Sequence, residues 1–145
     1  MGREAYIVIN VERYSESIFD IIKKLDECGW SFYDSKDEVS YLPLGDTDDS
    51  DWRVDKLSYN QVEELINKKQ ANNEKVGIDL FYKSHAEGIV LLADNTQNIM
   101  FNTDINKRNI EYGFLDIGWY FQNLIIPLRE KGCDIASLCY MDYTD

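Results

Sequence analysis

The chain has little that would mark an enzyme. Among 145 residues there is one histidine, His85, and no GxSxG, HExxH, GxxxxGK[ST] or GxGxxG stretch occurs. The fingerprints of serine hydrolases, zinc proteases and nucleotide-binding loops are therefore missing. His85 falls in the polar run 83–88 between two expected strands, the place of a solvated turn residue rather than a partner for a nucleophilic thiol. The expectation is a protein that is not an enzyme. Cysteine is scarce as well: Cys28, Cys133 and Cys139 are an odd number without CxxC spacing, which argues against a disulfide framework and against a zinc site. They read as free thiols.

Long hydrophobic runs are absent. The longest, residues 89–93 and 124–128, fall far short of the roughly 20 apolar residues a membrane span needs. The opening MGREAYIVINV lacks a basic region leading into an apolar helix, so no signal peptide is expected, and Tyr6 stands where a myristoylation motif wants Ser or Thr. The expected address is cytoplasmic. Bases are outnumbered too, 15 Lys and Arg against 27 Asp and Glu, for a formal net charge of −12 and a pI near 4.4. Such a chain repels phosphate backbones, which excludes a nucleic-acid partner, and it disfavours anionic membrane surfaces. A basic protein partner is what the charge attracts.

What is present is enough for a folded core. The chain is 44% hydrophobic and 13% aromatic, and its length suits one domain spanning residues 1–145. Alternating, β-branched residues at 6–11 predict an opening strand. Ser15 predicts a helix N-cap, followed by Ile18, Ile21, Ile22 and Leu25 on one helical face and stopped at Gly29. Residues 30–33 and 39–44 predict a hairpin around the polar turn DSKDE, with Pro43 at a strand end. Ser58 and Gln61 form a capping box for a second helix reaching about residue 71. Strands follow at 76–82, 89–93 and 99–102, the second continuously apolar and therefore central, and residues 109–115 predict another. Asp116 caps a third helix, which Pro127 should kink and Gly132 should end, and a closing strand runs over 135–141. Hairpins outnumber crossovers, so the fold class is α+β, a mainly antiparallel sheet with about three helices packed on it.

The most unusual stretch is residues 45–55, GDTDDSDWRVD. Eight acids and two bases lie between Asp34 and Asp55, half of the whole net charge. Asp46, Asp48 and Ser50 match the first three ligands of an EF-hand, but Asp51 and Leu57 occupy the positions that require the turn glycine and the bidentate glutamate. No metal site and no cofactor is expected. Trp52 beside the aspartates is what interface centres use, aromatic area next to complementary charge. Were Trp52 buried in the core, only a solvated loop would remain. The end of the chain, YMDYTD, mixes tyrosine and aspartate in the same way.

Small size, concentrated acidity and interface-type aromatics, carried by GDTDDSDW and YMDYTD, resemble the immunity proteins of bacterial polymorphic and contact-dependent toxin systems. The resemblance implies an antitoxin that binds a cognate basic toxin protein, often a nuclease, and occludes it. The expected contact residues are Asp46, Asp48, Asp49, Asp51, Trp52, Asp55 and Tyr41, with Asp142 and Tyr143 from the end of the chain. The alternative is an acidic regulatory module of a mobile element, or a mimic of nucleic acid, which would spread its acids along an extended face.

Overall fold

The computed structural model describes residues 2–46, 48, 50–83 and 86–144. Its framework is β1 (Arg3–Asn10), whose residues alternate between buried Ala5, Ile7 and Ile9 and half-exposed Tyr6, Val8 and Asn10. This period of two sends the two sets to opposite faces of a sheet. The remaining strands are β2 (Trp30–Ser31), β3 (Val39–Tyr41), β4 (Arg53–Asp55), β5 (Val76–Tyr82), β6 (Gly88–Ala93), β7 (Ile99–Asn102) and β8 (Ser137–Thr144). They form one antiparallel sheet in the order β4-β3-β5-β6-β7-β1-β8, with β2 also paired to β5. The α+β fold is thus observed.

Three helical stretches cover one face. In α1 (Ile18–Glu27) the apolar spacing buries Ile18, Phe19, Ile21, Ile22 and Leu25. Its N-cap is Ser17, not Ser15; the Ser15 hydroxyl donates to Asp20 and accepts from the Ser17 N–H, so an extra turn precedes the helix. The chain leaves it through Gly29, whose φ of 97° suits a residue without Cβ. The capping box of Ser58 and Gln61 starts α2 (Tyr59–Ala71) as expected. Gln70 near its end accepts from the Ile18 N–H and donates to Glu16, tying α2 to the start of α1. The third stretch, α3, runs through Ile117–Tyr120, a π turn over Phe121–Ile125, and Ile126–Glu130. Asp116 caps it by accepting from the Trp119 N–H.

The buried apolar residues of all three helices and the inward row of each central strand belong to a single cluster, from Ala5 and Ile7 through Ile78, Leu80, Leu91 and Phe101 to Leu124 and Leu128. Among the described residues every helix therefore lies on the same side, and no helix covers the other face of the sheet, called the open face below.

Three further local expectations are corrected. The segments at 30–33 and 39–44 do not form a hairpin: β2 pairs with Phe81 and Tyr82, and β3 pairs with β4 and with Ile78 of β5. Between them Asp34 closes a tight loop on itself, accepting from the Lys36 and Glu38 N–H groups while its own N–H donates to Glu38, with Asp37 at φ 60°. Residues 109–115 are no strand but a 3-10 turn, Glu111–Gly113, closed by one bridge between Asn109 and Leu115. The last strand begins and ends later than expected, so Asp142 and Tyr143 are not a tail: they pair with Ala5 and Glu4 of β1.

Candidate functional site

The open face is laid out by strand register. One transverse row runs Gly77, Leu92, Met100, Val8 and Cys139 from β5 to β8. The next runs Asp79, Val90, Asn102, Tyr6 and Met141. Val90, Leu92, Met100 and Val8 are all half-buried, an apolar strip that no helix reaches.

Where β5 crosses this face, Trp52 and Leu42 lie over it. A Cβ at Gly77 would stand 2.5 Å from Leu42 and 3.0 Å from Trp52, so the absence of a side chain lets both come down onto the sheet. Leu42 is completely buried yet lies outside the main core cluster. Trp52, half-buried, forms one wall of a groove of about 370 Å³ whose lining includes Val54, Asp79, Val90, Leu92 and Asp104. Leu92 is shared with a second hollow of about 290 Å³ over Val8 and Met100. The strip and the two hollows are continuous.

Asp79 is the chemically exceptional residue here. It sits in mid-strand with Val90 paired beside it, and among the described residues its carboxyl has no hydrogen-bond or ion-pair partner. Burial alone pushes it up to about 6, since nothing nearby offsets the loss of water around the charge.

The expected contact residues divide into three groups. Asp46, Tyr41 and Asp142 hold the fold. Asp46 is buried and accepts from the Asp48 N–H at 3.0 Å and from the Asp51 N–H, which shapes the acidic loop from inside. The backbone carbonyls of Asp46 and Pro43 accept from the buried Lys69 ammonium at 3.0 and 2.6 Å, and Glu74 faces it at 3.4 Å. Tyr41 has its ring in the core and donates its hydroxyl to Asp55 at 2.6 Å; burial, then that carboxylate, raise its pKa. Asp142 works inward: burial opposes its charge, but the Leu115 N–H, Arg3 and the Tyr140 hydroxyl bring its carboxyl below the ordinary range. Burial, then Asp142, push Tyr140 to about 12.

The second group is exposed. Asp48 accepts from Ser50 and Asp51 pairs with Arg53 at 3.0 Å, both in the loop that leads into Trp52; Asp55 ends β4 opposite the buried Val39, on the helix-covered side of the sheet, where the Tyr41 hydroxyl holds its carboxylate. Tyr143 is also exposed, stacked edge-on against Tyr6 with its hydroxyl on Glu4. The third group is Trp52 itself, in the groove rather than in the core. Asp49 and His85 lie outside the described residues. Among the described residues no cluster of three or more metal-ligating side chains occurs, and no helix is long and apolar enough to cross a membrane.

Sequence reasoning missed Asp79, Val90, Leu92, Met100 and Asp104. A signal existed for two of them: the unbroken apolar run at 89–93 demanded cover on both faces, and the helices supply it on one. No protein family, no curated protein and no solved structure matches this chain.

Proposed function

We propose that this chain is an immunity protein of the cytoplasm, which binds a cognate basic toxin domain through the open face of its sheet and so neutralises it. The observation that supports this reading is the apolar strip from Trp52 through Leu92 and Met100 to Val8, left uncovered and bordered by acids. It has the anatomy of an interface, an aromatic and aliphatic centre inside a charged rim. Asp48 and Asp51, exposed in the loop that leads into Trp52, attract a basic surface and speed the encounter, with Asp55 adding to the charge from the end of β4, while the desolvated centre slows dissociation. Asp46, Tyr41 and Asp142 contribute by holding the face in shape.

The test uses toxin domains encoded next to this chain, with kinetics of binding measured at several salt concentrations. Leu92→Arg is expected to weaken the complex at least 100-fold, mostly through faster dissociation. Replacing Asp48, Asp51 and Asp55 by Asn is expected to slow association about 3- to 10-fold at low salt and to have little effect at high salt. If no basic toxin binds, or if it binds Leu92→Arg as tightly as the unaltered chain, the reading fails.

A further inference from the structure

Asp79 raises a question that a merely apolar contact face does not answer. A carboxylate in the middle of an inner strand, beside Val90 and Leu92, is an expensive residue to keep where a Thr or Val would fit the sheet. The neighbouring acids have donors from within the chain: Asp55 has the Tyr41 hydroxyl and Asp51 has Arg53. Asp79 has none among the described residues. Arg53, the cation that lines this groove, is engaged with Asp51 at the rim. A second acid, Asp104, also lines the groove.

We propose that the groove receives an arginine side chain of the partner protein, its guanidinium on the Asp79 carboxylate and its methylenes on Val90 and Leu92 beside Trp52. This rests on the reading of the open face as the binding surface and assigns the residue that the partner must bring. Charge complementarity selects a cation, and the surroundings select arginine. Its planar fork meets a carboxylate with two parallel hydrogen bonds, stacks on an indole face and is weakly hydrated, whereas lysine would carry its water into an apolar groove. The stem of three methylenes suits a floor of Val and Leu.

A bound guanidinium supplies the counter-charge that burial removed, so arginine binding tightens as Asp79 ionises. Among the described residues the charged groups that share this groove with Asp79 are Asp104, from the loop after β7, and Arg53 of β4, and β6 contributes Val90 and Leu92 to the lining. The Asp79→Asn variant separates the contribution of Asp79 from theirs.

The experiment titrates the full chain with Nα-acetyl-arginine methylamide, following the Trp52 indole and Asp79 carboxyl resonances by NMR. The expected result is saturable binding in the millimolar range, several-fold tighter at pH 7.5 than at pH 5. The neutral isostere Nα-acetyl-citrulline methylamide should bind at least fivefold more weakly, and Asp79→Asn should abolish the difference between the two. Ser40→Lys places an ammonium of the chain itself in the same groove and should block the arginine ligand while leaving Asp79 in place. Equal binding of citrulline and arginine, or unchanged arginine binding by either variant, overturns the proposal. A basic toxin that binds Leu92→Arg poorly but binds Asp79→Asn normally overturns the arginine assignment and leaves the binding face standing. Arginine capture at Asp79 in a chain that binds no toxin keeps the site and removes the immunity reading.

Discussion

The indole N–H of Trp30 donates to the backbone carbonyl of Asn123 at 2.8 Å. That carbonyl stands four residues before Pro127, which has no N–H to send back to it. The helix meets the gap with a π turn over Phe121–Ile125, and the freed acceptor is used by a residue from β2. The Asn123 side chain extends the joint, accepting from the Tyr82 hydroxyl at 3.1 Å and donating to the Trp119 carbonyl at 2.8 Å. Trp30 also packs on Tyr82 and Trp119, with ring centres 4.8 and 6.1 Å away. A local defect in the helix is thereby converted into a tertiary link.

Trp30→Phe should destabilise the fold by about 2–4 kcal/mol, through an orphaned carbonyl and a smaller ring in a fully buried place. Adding Pro127→Ala restores an N–H within reach of Asn123, so the double variant should lose less than the two single losses combined. Urea unfolding of the four proteins checks this.

Lys69→Met should cost about 3–5 kcal/mol. The substitution keeps the buried stem but strips the donor from the Pro43 and Asp46 carbonyls and leaves Glu74 without its cation. Because those carbonyls root the acidic loop, amide exchange at residues 44–46 should accelerate well beyond the change seen in β1. Equal acceleration everywhere would mean that Lys69 supports the fold without governing the loop.

Asp142→Asn should destabilise the chain by about 1–3 kcal/mol at pH 7, since it weakens the ion pair with Arg3 and the bond from the Leu115 N–H. The folded carboxyl titrates below its unfolded value, so its contribution is complete above the unfolded pKa near 4 and is lost as pH falls through the folded one. The gap between variant and parent should therefore narrow below about pH 4, as read by chemical denaturation across pH.

For Asp79 the sign reverses. Its folded pKa of about 6 lies above the unfolded value, so the folded state holds its proton longer and stability falls as pH rises from about 4 to 6, then levels off. Asp79→Asn should leave stability at pH 4 nearly unchanged and raise it at pH 7.5 by about 1–2 kcal/mol, allowing for solvent screening of a half-buried group. A residue whose removal stabilises the fold and weakens binding is one kept for its contact. Parallel pH profiles of the two proteins would show that Asp79 carries no such cost.

Several elements were legible because their signals are local. The capping box at Ser58, the stop at Gly29 and the Asp116 cap each bring donor, acceptor or backbone freedom together within a few residues. Two failures had the opposite cause. The residues around DSKDE carry turn chemistry that also suits a self-closed loop, and only the competition for β5 decided that β2 and β3 would not pair. Asp142 looked like a surface acid because nothing in YMDYTD reveals Arg3, 139 positions away, as its partner.

The candidate site shows the same division. Acid clustering pointed at residues 46–55, yet charge count carries no direction: Asp46 turns in to its own loop, Asp48 and Asp51 turn out, and Trp52 lies down on the sheet. Asp79 attracted no notice because an acid at an outward strand position is ordinary when that face meets water.

The sequence by itself determined that this is an acidic α+β chain, because composition, helix period and strand alternation act over a few residues at a time. Tertiary structure alone decided that all three helices fall on one side of the sheet. That choice turned Val90, Leu92 and Asp79 from the expected interior and exterior of a strand into the floor of one open groove, since cover on a sheet face is a property of the whole assembly and of no single segment.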